Sequence, residues 1–231
     1  MKLLKHFFNF YIDSSIHVSL SVCCLQAMIM IKYCSSINNN LLYFTFFSSL
    51  LAYNFIKYFK FIIDNYNNIS YKIKVIIVIS IFSFLSAFFF TFYLSLYEIV
   101  LVSFAGIITF LYAIPTFLIS NYNLRATKGL KIYLVALVWT LITVLLPLQF
   151  YKDLGLLFIL LIFIQIFIYV LIVIIPFEIR DIDIDDTRLS TIPQKIGIRN
   201  TKILGFIMIL FFLSIEFLKI KLNVIDNLSL D

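Results

Sequence analysis

Charge is what this chain has least of. Only 13% of its 231 residues are Asp, Glu, Lys or Arg, against roughly a quarter in soluble domains. Hydrophobic residues make up 63% and mean hydropathy is +1.06. Too little polar surface is left to face water, which excludes a soluble globular domain. Glycine and proline are almost as scarce, at five and four, which excludes collagen-like repeats and Pro/Gly-rich disorder. Three cysteines occur, Cys23, Cys24 and Cys34. No CxxC or Cys/His spacing accompanies them, so they read as inert thiols rather than metal or redox ligands. Met1 to Tyr11 holds two lysines but no apolar core closed by small residues, so no cleavable signal peptide is expected.

What is present is a series of long apolar runs. Seven segments read as spans: 15–32, 41–63, 75–92, 95–119, 132–148, 154–177 and 203–220. The runs are continuous rather than alternating, and far longer than the ~10-residue strands of a membrane barrel. Helices are therefore expected, since they satisfy their own backbone polar groups in lipid. The expectation is one all-α polytopic domain over residues 1–231.

Basic residues set an orientation. Fourteen of the eighteen Lys and Arg fall at the N-terminus or in the second, fourth and sixth connections. The positive-inside rule places these in the cytoplasm, N-terminus included. The net charge of +6 is accounted for by topology and anionic headgroups, without nucleic acid.

The acids are concentrated differently. Of twelve, five lie within nine positions: Glu178, Asp181, Asp183, Asp185 and Asp186. If the helix continues past Pro176, Glu178, Asp181 and Asp185 share a face at i, i+3 and i+7. Carboxylates gathered this way repel unless a cation sits among them, and Mg²⁺ takes such oxygens while keeping water or phosphate as other ligands. Arg180, Arg188 and Lys195 add phosphate-binding chemistry nearby. The alternative is a solvated acidic loop. In the last span Glu216 stands out, with Lys219 three residues on as an obvious partner.

The stretch Phe177-Glu178-Ile179-Arg180-Asp181-Ile182, followed by Asp185, Thr191-Ile192-Pro193-Gln194 and Gly197, resembles the second aspartate motif of the UbiA superfamily of membrane prenyltransferases. Tyr112, Pro115, Leu124-Arg125 and Gly129-Leu130-Lys131 are similar to that family's basic connection before its fifth span, with Trp139 and Pro147 within the span. The likeness runs over roughly 40–215. It implies a helical bundle of the nine-span UbiA type, seven spans of which are present here, in a bacterial inner membrane. It further implies transfer of a prenyl group from a polyprenyl diphosphate to a lipophilic, aromatic acceptor. Mg²⁺ would be held by Asp181, Asp185 and Asp183, the first two being catalytic. Asn54, Lys57, Arg125, Lys128, Arg180 and Lys195 would contact the substrate.

The family's first motif is degenerate. Asn54 matches, but Phe55, Tyr58 and Ile62 stand where carboxylates belong, and the chain ends soon after its seventh run. Weak or absent transfer is the expectation that follows. A non-catalytic isoprenoid- or partner-binding protein of the same fold is the alternative, and a small cation transporter ranks third.

Overall fold

The computed structural model describes residues 2–34, 36–65, 68–113, 129–148, 155–183 and 190–228. Among these residues there is no strand, as the unbroken apolar runs require. The helices are α1 (Lys2–Asp13), α2 (Ile16–Tyr33), α3 (Asn39–Asp64), α4 (Tyr71–Thr91), α5 (Leu96–Ala113), α6 (Lys131–Thr140), α7 (Leu146–Leu148), α8 (Leu156–Arg180) and α9 (Ile192–Leu228), with a π-helical turn, Leu141–Leu145, joining α6 to α7.

Within each of the seven expected runs the described residues are mainly helical. Six helical segments are long and apolar enough to cross a membrane: α2, α4, α5, the segment Lys131–Leu148, α8 and the Ile192–Leu222 part of α9. The remaining run, α3, has 26 residues, or about 39 Å of rise. Asn39, Asn40, Asn54, Lys57, Lys60 and Asp64 interrupt it, and it does not reach the apolarity of the other six. Large apolar side chains such as Phe82, Phe88, Phe89, Phe104, Phe206 and Phe211 are more than half exposed, a surface suited to lipid rather than water.

The chain divides into two compact units, residues 1–114 with 146–148, and residues 115–145 with 149–231. In the first, α3 packs on α4, α2 and α5. Its helix starts follow local rules. Asn38 accepts a hydrogen bond from the Leu41 N–H at 3.2 Å. At α5, Glu98 Oε2 accepts from the Ser95 N–H at 2.6 Å while the Glu98 N–H donates to Ser95 Oγ at 3.3 Å. This reciprocal capping box makes the short break between α4 and α5 a real one.

In the second unit α8 packs on α6 and α9. Pro147 has no N–H to donate to the Thr143 carbonyl, and the helix widens into its π turn just upstream. Pro176 is carried inside α8, which ends at Arg180. Residues 181–183 form a turn, so the continuous helical face expected for Glu178, Asp181 and Asp185 stops short of Asp185. The start of α9 also differs from the expected 203: the helix begins at Ile192 and kinks at Gly197, whose φ of 79° breaks the helical geometry.

Candidate functional site

Three stretches separated in sequence converge in the second unit. The Gly129-Leu130-Lys131 turn leads into α6, Glu178 to Asp181 close α8, and Ser190 to Lys195 open α9. Glu178 is 4% exposed, and Lys131 Nζ lies 3.2 Å from its carboxylate. A buried carboxylate at a helix end needs such a partner, because an unpaired one would be expelled or protonated.

Next to this pair, Arg180 grips Asp181 with two hydrogen bonds, Nε to Oδ1 at 2.7 Å and Nη2 to Oδ2 at 3.1 Å. The guanidinium also lies 5.2 Å from the Phe177 ring centre. The Arg180 hydrogen bonds, reinforced by the charges of Arg180 and Lys131, hold the Asp181 carboxyl below its ordinary value against the opposing effect of burial. Arg180 has five N–H donors, and this grip uses two.

The start of α9 is half of a capping box. The Thr191 N–H donates to Gln194 Oε1 at 2.9 Å, while Thr191 Oγ1 is buried with no partner among the described residues. Gly129 has φ of 76°, and a side chain there would come within 3.4 Å of both Lys195 Nζ and the Ser190 carbonyl. Glycine is thus favoured by conformation, while the two neighbours sit at the near edge of ordinary contact. Lys195 itself is exposed. The corner therefore holds two closed ion pairs, an exposed lysine and spare guanidinium donors, a set able to receive an anionic oxygen group.

The other expected site residues fall as follows. Asp183 is exposed on the turn after α8. Asp185, Arg125 and Lys128 lie outside the described residues. Lys57 is in the first unit at the end of α3, where its Nζ donates to the Asp13 carbonyl oxygen at 3.2 Å and lies 3.7 Å from that residue's carboxylate. Tyr58 Oη donates to the same carbonyl at 2.8 Å, and Lys72 pairs with the Asp13 carboxylate. The Lys72 hydrogen bond, with the charges of Lys72 and Lys57, keeps the Asp13 carboxyl below its usual value. Asp13 was not among the candidates. Its only sequence signal is an acid closing a short amphipathic helix.

Asn54 is buried between α3 and α4, donating from Nδ2 to Ser80 Oγ at 3.2 Å. Glu216 meets Lys219 at 2.7 Å as its spacing suggested, and also receives Gln165 Nε2 from α8 at 2.9 Å.

Among the described residues no three His, Cys, Asp or Glu side chains come together as a metal site. Asp181, with both oxygens engaged by Arg180, does not fit Mg²⁺ as it stands. Compared with family models, curated proteins and solved structures, the chain matches none.

Proposed function

We propose that this chain is an integral membrane protein that holds the diphosphate of a polyprenyl diphosphate at the corner formed by Gly129, Lys131, Arg180, Asp181 and Lys195. The observation that carries the reading is the convergence of those three stretches, each part of the UbiA resemblance, onto one charged helix junction. In this reading Lys195 and the unused Arg180 donors take phosphate oxygens, and prenyl transfer to a lipophilic aromatic acceptor is the reaction that binding serves. Arg125 and Lys128 join as further contacts. In this reading the fold is a UbiA-like bundle in a bacterial inner membrane, with α3 as a seventh span and the N-terminus cytoplasmic. Mg²⁺, which the resemblance places at Asp181, Asp183 and Asp185, does not fit Asp181 while Arg180 holds both of its oxygens, so the diphosphate contacts in this reading are the basic side chains.

A second reading, binding without catalysis, is favoured by the closed Arg180–Asp181 pair and by Phe55, Tyr58 and Ile62 at the first motif. One experiment separates the two. Purified protein is titrated with a labelled polyprenyl diphosphate, with and without Mg²⁺, and pyrophosphate release is followed. Binding weakened by Lys195→Met and Arg180→Met, with Mg²⁺-dependent release, supports transfer. Binding without release leaves the second reading, and no binding ends both. For the topology, reporter fusions at Ser36 and Asn68 should report opposite sides, because α3 then lies across the membrane between them. Signals from one side would return the count to six.

A further inference from the structure

Asn54 carries a buried polar atom that lacks a partner among the described residues. Its residue is 3% exposed, and Oδ1 has no hydrogen-bond partner among the described residues. The orientation of the amide is fixed by its neighbour. Ser80 Oγ donates its single proton to the Ile76 carbonyl at 2.8 Å, so toward Asn54 it can only accept. The Asn54 NH₂ must therefore face Ser80, leaving the carbonyl oxygen as the orphan.

This residue lines a cavity of about 310 Å³ between α3 and α4. Asn54 and Ser80 are its polar lining apart from Tyr58, whose hydroxyl is already committed to Asp13. The rest is apolar, including Leu51, Phe55, Phe59, Ile77, Ile81 and Phe84. Phe55 is itself held, 4.5 Å from Phe59 and stacked on Phe110 at 6.4 Å between ring centres. Ile81 and Phe84 are more than half exposed, so the cavity has a side open outward from the α3–α4 pair, where lipid would be. Ser80 lies nine residues into α4, about 14 Å of rise in a hydrocarbon layer ~30 Å thick. At that depth there is little water to satisfy a lone acceptor.

We propose that this groove binds a bilayer-soluble alcohol or phenol, its hydroxyl donating to Asn54 Oδ1 and its apolar body lying among the aromatic and aliphatic walls. The occupant must be a donor, because the free atom is an acceptor. It must be uncharged, because none of the lining side chains is ionised at neutral pH. Its body must be small. The cavity is about twice the ~150 Å³ that takes up benzene in an engineered apolar core, which suits a fused bicyclic ring. Entry is lateral, past Ile81 and Phe84. The inference stands on the first unit alone and does not depend on the diphosphate reading.

The test compares 2-naphthol with 2-methoxynaphthalene, one ring system with and without a donor. Each is titrated with the full chain in lipid nanodiscs, and its fluorescence anisotropy is read against protein-free nanodiscs. The wild-type protein should favour the naphthol by about tenfold, the scale of one well-made buried hydrogen bond. Asn54→Leu should erase that preference while leaving circular dichroism and gel filtration unchanged. Ile77→Trp keeps Asn54 but fills the groove, and should weaken both ligands by about tenfold or more. Equal affinity for the two compounds in wild type would overturn the proposal. So would a preference that survives Asn54→Leu, or binding indifferent to Ile77→Trp.

Discussion

Ser80 in the first unit and Gln165 in the second each lie nine residues into an apolar helix, and each belongs to a polar contact between neighbouring helices. The two contacts differ in how far they close. Gln165 Nε2 donates to both Glu216 Oε2 and the Phe212 carbonyl, and Glu216 Oε2 also meets Lys219 at 2.7 Å. The Lys219 side chain is 4% exposed. Acid, base and amide there satisfy one another. At Asn54–Ser80 one acceptor is left over beside a cavity. Closed networks at membrane depth hold helices together, whereas one with an unmatched acceptor and empty space next to it has the makings of a binding site.

Breaking the closed network should have the largest effect of any substitution considered. Glu216→Ala leaves the buried Lys219 ammonium without that carboxylate, and because the Glu216 side chain is itself 33% exposed the cost should fall near the lower end of the about 3–5 kcal/mol of a fully buried pair. The double variant Glu216→Leu, Lys219→Leu removes both charges and should recover most of that loss. Reversible unfolding in detergent would measure both, and equal destabilisation by the single and the double variant would contradict the pairing.

Lys131→Met applies the same logic at the α6–α8 junction. Glu178 loses the cation that makes its burial tolerable, and about 2–3 kcal/mol should follow, the cost of an unsatisfied buried group. Lys131→Arg should retain much of the stability, because the charge is kept.

Gly129→Ala should cost about 1–2 kcal/mol. The residue sits at φ of 76°, where an L side chain is strained, while a Cβ there would only touch Lys195 Nζ and the Ser190 carbonyl at 3.4 Å. Gly106→Ala is the control. It lies within α5, nothing would be within 4 Å of its Cβ, and alanine favours helix.

Asp13 gives a smaller effect that depends on pH. Its folded-state carboxyl titrates below the unfolded value of about 3.9. Its contribution is therefore present above about pH 4 and fades as pH falls through the lower folded value. Lys72→Met should reduce stability at neutral pH by under about 1 kcal/mol, as for other partly exposed pairs, and should move the acid loss upward toward pH 4.

The sequence carried the helices because apolar runs interrupted by charge are a strong signal, whereas the Ser95–Glu98 capping box at the narrowest break is visible only in the structure. It also carried the Glu216–Lys219 pair, since i, i+3 neighbours on one helix are local. What it did not carry was anything decided between helices. Gln165 drew no notice in its apolar segment, because its partner lies 51 positions away. Lys57 invited a phosphate, but its partner at Asp13 is supplied by the packing of the N-terminal helices. Pro176 left the extent of α8 open, and only the turn at Asp181 shows where the carboxylates leave the helix.

Asn54→Leu should be the least damaging change, and it sharpens the comparison most. In the closed network every removed group strands another. At Asn54 the side chain already carries an unsatisfied acceptor, a standing cost of about 1–3 kcal/mol. Leucine removes that cost and adds apolar contact with the Phe55 and Ile77 side of the groove. It forfeits one hydrogen bond to Ser80 Oγ, whose own proton stays on the Ile76 carbonyl, so no buried donor is orphaned. Loss and gain nearly offset, and unfolding should shift by less than about 1 kcal/mol in either direction. A loss of 3 kcal/mol or more, comparable to Glu216→Ala, would mean that Asn54 holds α3 to α4 as Glu216 holds α9 to α8. The distinction between a closed structural contact and an open site would then fail.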